Sequence, residues 1–154
     1  MKSSAEQPPQ IDRIDRAIIR ELRRDGRLTV RDLAARVNLS PTPCHARLKR
    51  LIGSGLITGF AARVDHARLG EGHVAFVQVT LSDTRDDALN AFNAAALKSE
   101  GIEQCHMIAG SFDYLLKVRT RDIGEYRKVL GEEISRMPHV ASTSTFVCME
   151  AVKE

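Results

Sequence analysis

Cys44-His45 and Cys105-His106 each place a thiol beside an imidazole, the donor types from which zinc sites are built. Adjacent side chains on a helix or strand diverge, however, and no further ligand follows either pair at metal-site spacing. The cysteines read instead as small core residues, and neither a metal nor another cofactor is expected. Ser111, His106 and Asp113 supply the ingredients of a hydrolytic triad. No Gly-x-Ser-x-Gly elbow frames the serine, and nothing in the spacing fixes a nucleophile against a base. An enzyme is therefore not expected. A third set is better organised. Arg27, Arg31, Arg36, Arg47, Lys49 and Arg50 surround a segment that also holds Ser40, Thr42, Pro43 and His45. Cations crowded into a short span neutralise phosphates, and short polar side chains beside them meet base edges.

Residues 29–55, TVRDLAARVNLSPTPCHARLKRLIGSG, must position that set, and they read as two short helices joined by a tight turn. Thr29 is an N-cap type, and Asp32 three residues on sets a carboxylate at the positive end of the first helix. Leu33, Ala34 and Val37 recur at helical spacing. Asn38-Leu39 makes the turn, the Ser40 hydroxyl caps the second helix, and Pro41 and Pro43 occupy a first turn where no hydrogen bond is lost. Cys44, Leu48, Leu51 and Ile52 form the buried stripe of that helix, and Gly53 and Gly55 end it. The pattern is a helix–turn–helix. Thr42, Pro43, His45 and Lys49 then lie at the start and on the outer face of the second helix, as base-edge readers. Arg27, Arg31, Arg36, Arg47 and Arg50 fall to the phosphate backbone and make affinity salt-dependent. Taken singly, any one of these arginines is better explained as a solvated surface charge than as a DNA contact; the cluster carries the reading.

Charge divides the chain in the same way. Residues 1–63 carry 13 Lys/Arg against 6 Asp/Glu, a balance of +7, and residues 64–154 carry 10 against 14, a balance of −4. A basic front half and an acidic back half suggest two domains, of which the first meets a polyanion. At 154 residues the chain can bury a real core in each. No signal peptide and no long apolar run is evident, so a soluble, cytoplasmic protein without a membrane partner is expected. Three cysteines, odd in number and widely spaced, fit reduced thiols rather than a disulfide framework.

The remaining segments supply the scaffold. Residues 1–10 are polar and proline-bearing and read as a flexible tail. Ile11, Ile14, Ile18, Ile19 and Leu22 mark an amphipathic helix with Asp12 and Asp15 at its start, Arg13, Arg16, Arg20, Arg23 and Arg24 on its polar side, and Gly26 at its end. It gives the third wall of a helix–turn–helix domain over 11–63, with a short strand of the winged type over 56–64. Residues 64–73 read as a hinge. Beyond it the period changes. Strands are expected over 74–81, 102–109, 112–119 and 140–152, with helices over 83–99 and 120–135, the second turning Ile123, Tyr126, Leu130 and Ile134 inward. The order β-α-β-β-α-β over 74–154 is the ferredoxin-like layout, so the chain as a whole is α+β. Parity leaves Val74, Phe76, Ile108, Leu115, Phe146 and Cys148 on the sheet face away from the helices, which points to self-association.

The chain resembles the leucine-responsive regulatory protein (Lrp/AsnC, feast/famine) family of transcription regulators. The likeness runs from Ile11 to Lys153 and rests on IDRIDRAIIRELRRDGR, NLSPTPCHARLKRLIGSGLITGF, EQCHMIAGSFDYLLKV, YRKVLGE and FVCMEAVKE. It implies a sequence-specific regulator of double-stranded DNA that forms homodimers through its sheets and an octamer of four dimers. It also implies a small effector, usually an amino acid, held between dimers near residues 110–114. Met107, Gly110, Ser111, Phe112, Asp113 and Tyr114, with Thr143, Ser144, Thr145 and Phe146 of the last strand, are the effector-site residues so implied. The family often has Gly-Asp where this chain has Gly110-Ser111. Asp113 is then placed to accept a hydrogen bond from an α-ammonium group, or only to cap the turn. Two other readings remain: an enzyme or small-molecule-binding module in the back domain with an interaction domain in front, and an architectural DNA-binding protein with no effector.

Overall fold

The computed structural model describes residues 10–153 and divides the chain into two compact units, Met1–Arg63 and Val64–Glu154. The expected tail over 1–10 lies, apart from Gln10, outside the described residues.

The first unit is built from three helices, α1 (Arg13–Arg24), α2 (Val30–Arg36) and α3 (Pro41–Gly53). Asp12 caps α1 through a reciprocal capping box with Asp15: each backbone N–H donates to the other's carboxylate. Thr29 caps α2, accepting from the Asp32 N–H at 3.1 Å and donating to Asp32 Oδ2 at 2.7 Å. At the far end of α2, Asn38 takes the left-handed conformation (φ 56°), and the Leu39 N–H reaches back to the Ala34 carbonyl at 2.9 Å. This Schellman-type closure turns the chain sharply into α3, and asparagine is among the few non-glycine residues that tolerate it. Ile18, Leu33, Ala34, Cys44 and Leu51 are buried together at the centre, with Leu48 and Val37 packed at the edge.

Two local expectations are corrected here. Ile52 is 45 % exposed, because its position on α3 lies beyond the Cys44–Leu48–Leu51 seam on its outer flank. Residues 56–64 form no strand. An extended segment becomes a strand only when another edge takes up its N–H and C=O groups, and the described part of this unit contains none. Residues 65–71, within the expected hinge, close on themselves through the Glu71 N–H to the His66 carbonyl at 2.8 Å and the Leu69 N–H to the Asp65 carbonyl at 3.3 Å.

The second unit is an antiparallel sheet of β1 (His73–Leu81), β2 (Ile102–Met107), β3 (Tyr114–Thr120) and β4 (Val140–Val147), in the order β2-β3-β1-β4. α4 (Asp86–Ala96) and α5 (Ile123–Lys128) complete the β-α-β-β-α-β series. Ala75, Val77, Val79 and Leu81 of β1 and Tyr114, Leu116 and Val118 of β3 face the helices, where Phe92, Ala96, Tyr126 and Ile134 cover them. Phe92 and Tyr114 pack ring against ring, tilted by 38°, at 4.3 Å between centroids. Several elements are shorter than the sequence suggests. α5 passes into a π turn (Val129–Glu133) and a 3₁₀ turn (Ile134–Arg136). Ile123, expected inward, is exposed because it opens the helix a turn before the buried stripe begins at Tyr126.

On the other sheet face, Phe76 stands opposite Phe146, which is 53 % exposed, and Leu115 stands opposite both Gln78 and His106. Val74 has the expected parity but is buried. The face is not uniformly apolar: Glu103 holds Lys117 at 3.1 Å and Arg119 at 2.7 Å near its β2 edge.

Candidate nucleic-acid interface and effector region

Asp15 governs how α3 is presented. It sits within the apolar stripe of α1, between Ile11 and Ile18, and has no exposed surface. A lone carboxylate there would be costly to desolvate, so it must be paired. Arg47 Nη1 donates to Asp15 Oδ1 at 2.9 Å and to Asp12 Oδ2 at 2.6 Å, and Arg50 Nη2 donates to Asp15 Oδ2 at 2.5 Å. Burial pushes the Asp15 carboxyl up, but the Asp12 N–H and the two guanidiniums outweigh it, and the net shift is downward. The Asp15 N–H and Arg47 likewise lower Asp12, while Asp12 and Asp15 raise Arg47.

Arg47 and Arg50 of α3 are therefore tied to α1. This departs from the expectation of free phosphate contacts. Arg47 carries two carboxylate bonds, whereas Arg50 spends one N–H on Asp15 and keeps much of its guanidinium exposed. The physical reason is position. At about 100° per residue, Arg47 and Arg50 lie on the flank of α3 that meets α1, whereas Thr42, His45 and Lys49 lie opposite Cys44 and Leu51. Thr42, Pro43, His45 and Lys49 are all exposed. Ser40 occupies the N-cap position of α3, but its side chain makes no capping bond and stands exposed. Arg27 and Arg31 are exposed and form no ion pair among the described residues. Arg36 approaches Glu21 of α1 at 3.7 Å. Glu21, almost buried on α1, escaped the sequence reading. Like Asp15, it could have been found as an acid close to an apolar stripe.

In the second unit, the expected effector residues do not converge within one chain. The 108–113 connection is closed by the Ile108 N–H on the Asp113 carbonyl at 2.8 Å, and the Asp113 N–H donates to Val79 O at 2.9 Å. Asp113 Oδ2 accepts the Leu81 N–H at 2.7 Å, so this carboxylate ends β1 as well as the loop. Its Oδ1 has no hydrogen-bond partner among the described residues. Gly110 and Ser111 are exposed beside it, and Phe112 is half-buried. Tyr114, however, is 1 % exposed and lies in the helix-side core, as its parity with Leu116 requires. Met107 pairs with Tyr114 in register but sits exposed on the edge strand.

Strand periodicity splits the β4 set in the same way. Thr143 and Thr145 share a face with Val79 and Val77, and the Thr145 hydroxyl meets the Tyr126 hydroxyl at 2.5 Å. Ser144 and Phe146 face the other way. A groove of about 430 Å3 between α4 and β2 is lined by Asn93, Leu97, Ser99 and Cys105, none of them in the expected set. No cluster of three or more metal-ligating side chains occurs among the described residues. None of the described helices is long and apolar enough to cross a membrane.

Residues 11–58 match a winged helix-turn-helix DNA-binding family, and residues 74–154 match the Lrp/AsnC ligand binding domain. A proline dehydrogenase transcriptional activator of Rhizobium radiobacter is 56 % identical over 144 residues, which are 94 % of this chain and 92 % of that protein. The leucine-responsive regulatory protein of Escherichia coli K12 is 46 % identical over 144 residues, covering 94 % and 88 %. Among solved structures, a transcriptional regulator of Neisseria meningitidis in complex with L-Met superposes with a TM-score of 0.89 at 28 % identity, covering 94 % of each chain. Escherichia coli AsnC superposes with a TM-score of 0.84 at 25 % identity, covering 94 % of this chain and 96 % of that one.

Asp15 and Asp12 both titrate below their ordinary range, so their contribution is present above about pH 4 and is lost as pH falls through their folded values. Asp15→Asn is expected to cost the first unit about 2 kcal/mol at pH 7 and to flatten its loss of stability in acid. Denaturant melts of both proteins between pH 7 and pH 3 measure this. Parallel pH curves would remove Asp15 from that role.

Proposed function

The chain belongs to the Lrp/AsnC family of DNA-binding transcriptional regulators, and from that premise we propose that it reads DNA with the outer face of α3 and answers to an amino acid held by its second unit. The observation that carries the first half is the division of α3 by Asp15. With Arg47 and Arg50 engaged on α1, Thr42, Pro43, His45 and Lys49 are the exposed groups left to enter a major groove. Arg27 and Arg31, whose side chains form no ion pair among the described residues, supply phosphate contacts. Ser40 offers a hydroxyl, and Thr42 the one N–H of a first turn otherwise made of Pro41 and Pro43, to another phosphate. Arg36 and Arg50 contribute charge at the margin, and Arg47 acts by holding the helix.

The effector reading rests on the L-Met complex of the Neisseria regulator and on the loop around Asp113. Asp113 Oδ1 accepts from the effector's α-ammonium group, and Gly110 and Ser111 bring backbone close to its carboxylate. Because residues 107–113 and 143–146 do not meet within one chain, the site is completed by a second copy. The sheet face with Phe76, Leu115 and Phe146 provides the dimer contact, and four dimers build the larger assembly. Residues 11–63 then act as the DNA-binding domain, 64–73 as the hinge and 74–154 as the sensing and assembly domain of a cytoplasmic protein. The effector shifts assembly or DNA affinity only by its differential affinity for two arrangements.

Two measurements test this. Against duplexes selected from a random library, Lys49→Ala is expected to bind about tenfold more weakly and to discriminate less between selected and random sequence. Unchanged affinity and selectivity would take Lys49 off the reading face. In a thermal-shift screen against the twenty amino acids, at least one is expected to raise the melting temperature, and Asp113→Asn is expected to abolish that rise. No shift at millimolar concentration would leave the DNA-binding role without an amino-acid effector. A full shift in Asp113→Asn would acquit Asp113 alone.

A further inference from the structure

A groove of about 600 Å3 runs between α1 and the end of α2, and of its lining residues only Arg36 also belongs to the proposed DNA contacts. Ile14, Ala17 and Val37 form its floor, and Arg13, Arg20 and Arg36 stand on its rim. The three apolar residues are only half-buried, so the floor remains open to solvent.

The rim carries more positive charge than its surroundings balance. Glu21 is approached by Arg24 at 3.4 Å, Arg20 at 3.6 Å and Arg36 at 3.7 Å. One carboxylate serves three guanidiniums, none of them in the short, two-pronged geometry of a strong arginine–carboxylate pair. Arg13 forms no ion pair among the described residues, and neither do Arg16 and Arg23 farther along the same outer face of α1. Asp12 lies at the groove's end, but its carboxylate is already engaged by Arg47 and the Asp15 N–H.

An apolar floor under a cationic rim matches a ligand with the opposite pattern. Carboxylates that reach the rim would complete the charge balance that Glu21 begins, while aliphatic side chains cover Ile14, Ala17 and Val37. A DNA backbone would satisfy the arginines but leave the apolar floor unused, since phosphate contacts need no hydrophobic partner. We propose that this groove docks an acidic, amphipathic segment of a partner protein, its carboxylates on Arg13, Arg20 and Arg36 and its apolar side chains on Ile14, Ala17 and Val37. α3 stays free during this contact, so the partner and DNA bind together.

The test uses the full-length protein and two labelled synthetic helical peptides of equal negative charge. One carries Leu along one face with Glu on the other; its twin has Ser in place of Leu. Fluorescence anisotropy is expected to show the Leu peptide binding at least tenfold more tightly than the Ser peptide. Arg13→Glu combined with Arg20→Glu, both surface changes whose fold is checked by circular dichroism, is expected to weaken the Leu peptide at least tenfold. DNA affinity should change much less. Hydrogen exchange should slow over residues 13–20 and 36–38 on peptide binding. Equal affinity for the two peptides, or protection confined to 41–53, would overturn the proposal. A loss of DNA affinity as large as the loss of peptide affinity would also overturn it and assign the rim to phosphates.

Discussion

A single carboxylate without solvent exposure sets the geometry of the first unit. Asp15 lies on the apolar side of α1, where an isolated charge is unstable, and its two partners come from α3. Burying Asp15 therefore obliges α3 to present Arg47 and Arg50 to α1. The rotation of α3 about its own axis follows. Cys44 and Leu51 go to the core, and Thr42, His45 and Lys49 go to the opposite side. Hydrophobic packing alone leaves helix rotation softer, because neighbouring apolar positions can exchange at modest cost. A directional ion pair fixes it. The same capping box that begins α1 supplies Asp12 as the second ligand of Arg47, so helix initiation and interhelical orientation share two residues.

The second unit solves a different problem. Its four strands place one face against α4 and α5 and leave the other with Phe76, Leu115 and Phe146 beside the charged group of Glu103, Lys117 and Arg119. A face with apolar and ionic parts specifies both contact and register when it meets another surface. Asp113 ties the β2–β3 loop to the end of β1, so any ligand that engages its remaining oxygen acts on a loop already anchored in the sheet. That is the physical basis for coupling an effector to the sheet in the proposed function.

Much of this architecture was legible in the sequence. The order of strands and helices after residue 73 followed from a change of period, and Tyr114, Leu116 and Val118 faced the helices as alternation required. Thr29 capped α2 as its residue type suggested. What escaped the reading was long-range. Asp15 looked like a first-turn acid suited to the helix dipole, and only its place between Ile11 and Ile18 hinted at burial. Residue type alone cannot separate an arginine paired with a carboxylate, as Arg47 and Arg50 are with Asp15, from an unpaired one. The strand expected over 56–64 failed for want of a partner edge, which no local pattern reports. The alternation of Thr143, Ser144, Thr145 and Phe146 between the two sheet faces was not part of the reading, since their grouping came from resemblance and not from strand parity.

The claim that Arg47 orients α3 rather than touching DNA is tested most directly by the salt dependence of duplex binding. Each phosphate contact contributes about 0.9 to the slope of log Kobs against log salt concentration. Arg31→Gln is expected to reduce the slope by about that amount. Arg47→Gln is expected to weaken binding while leaving the slope as in the parent protein. If Arg47→Gln reduced the slope as much as Arg31→Gln does, the guanidinium would be on a phosphate, and the Asp15 clamp would not be what positions the reading face.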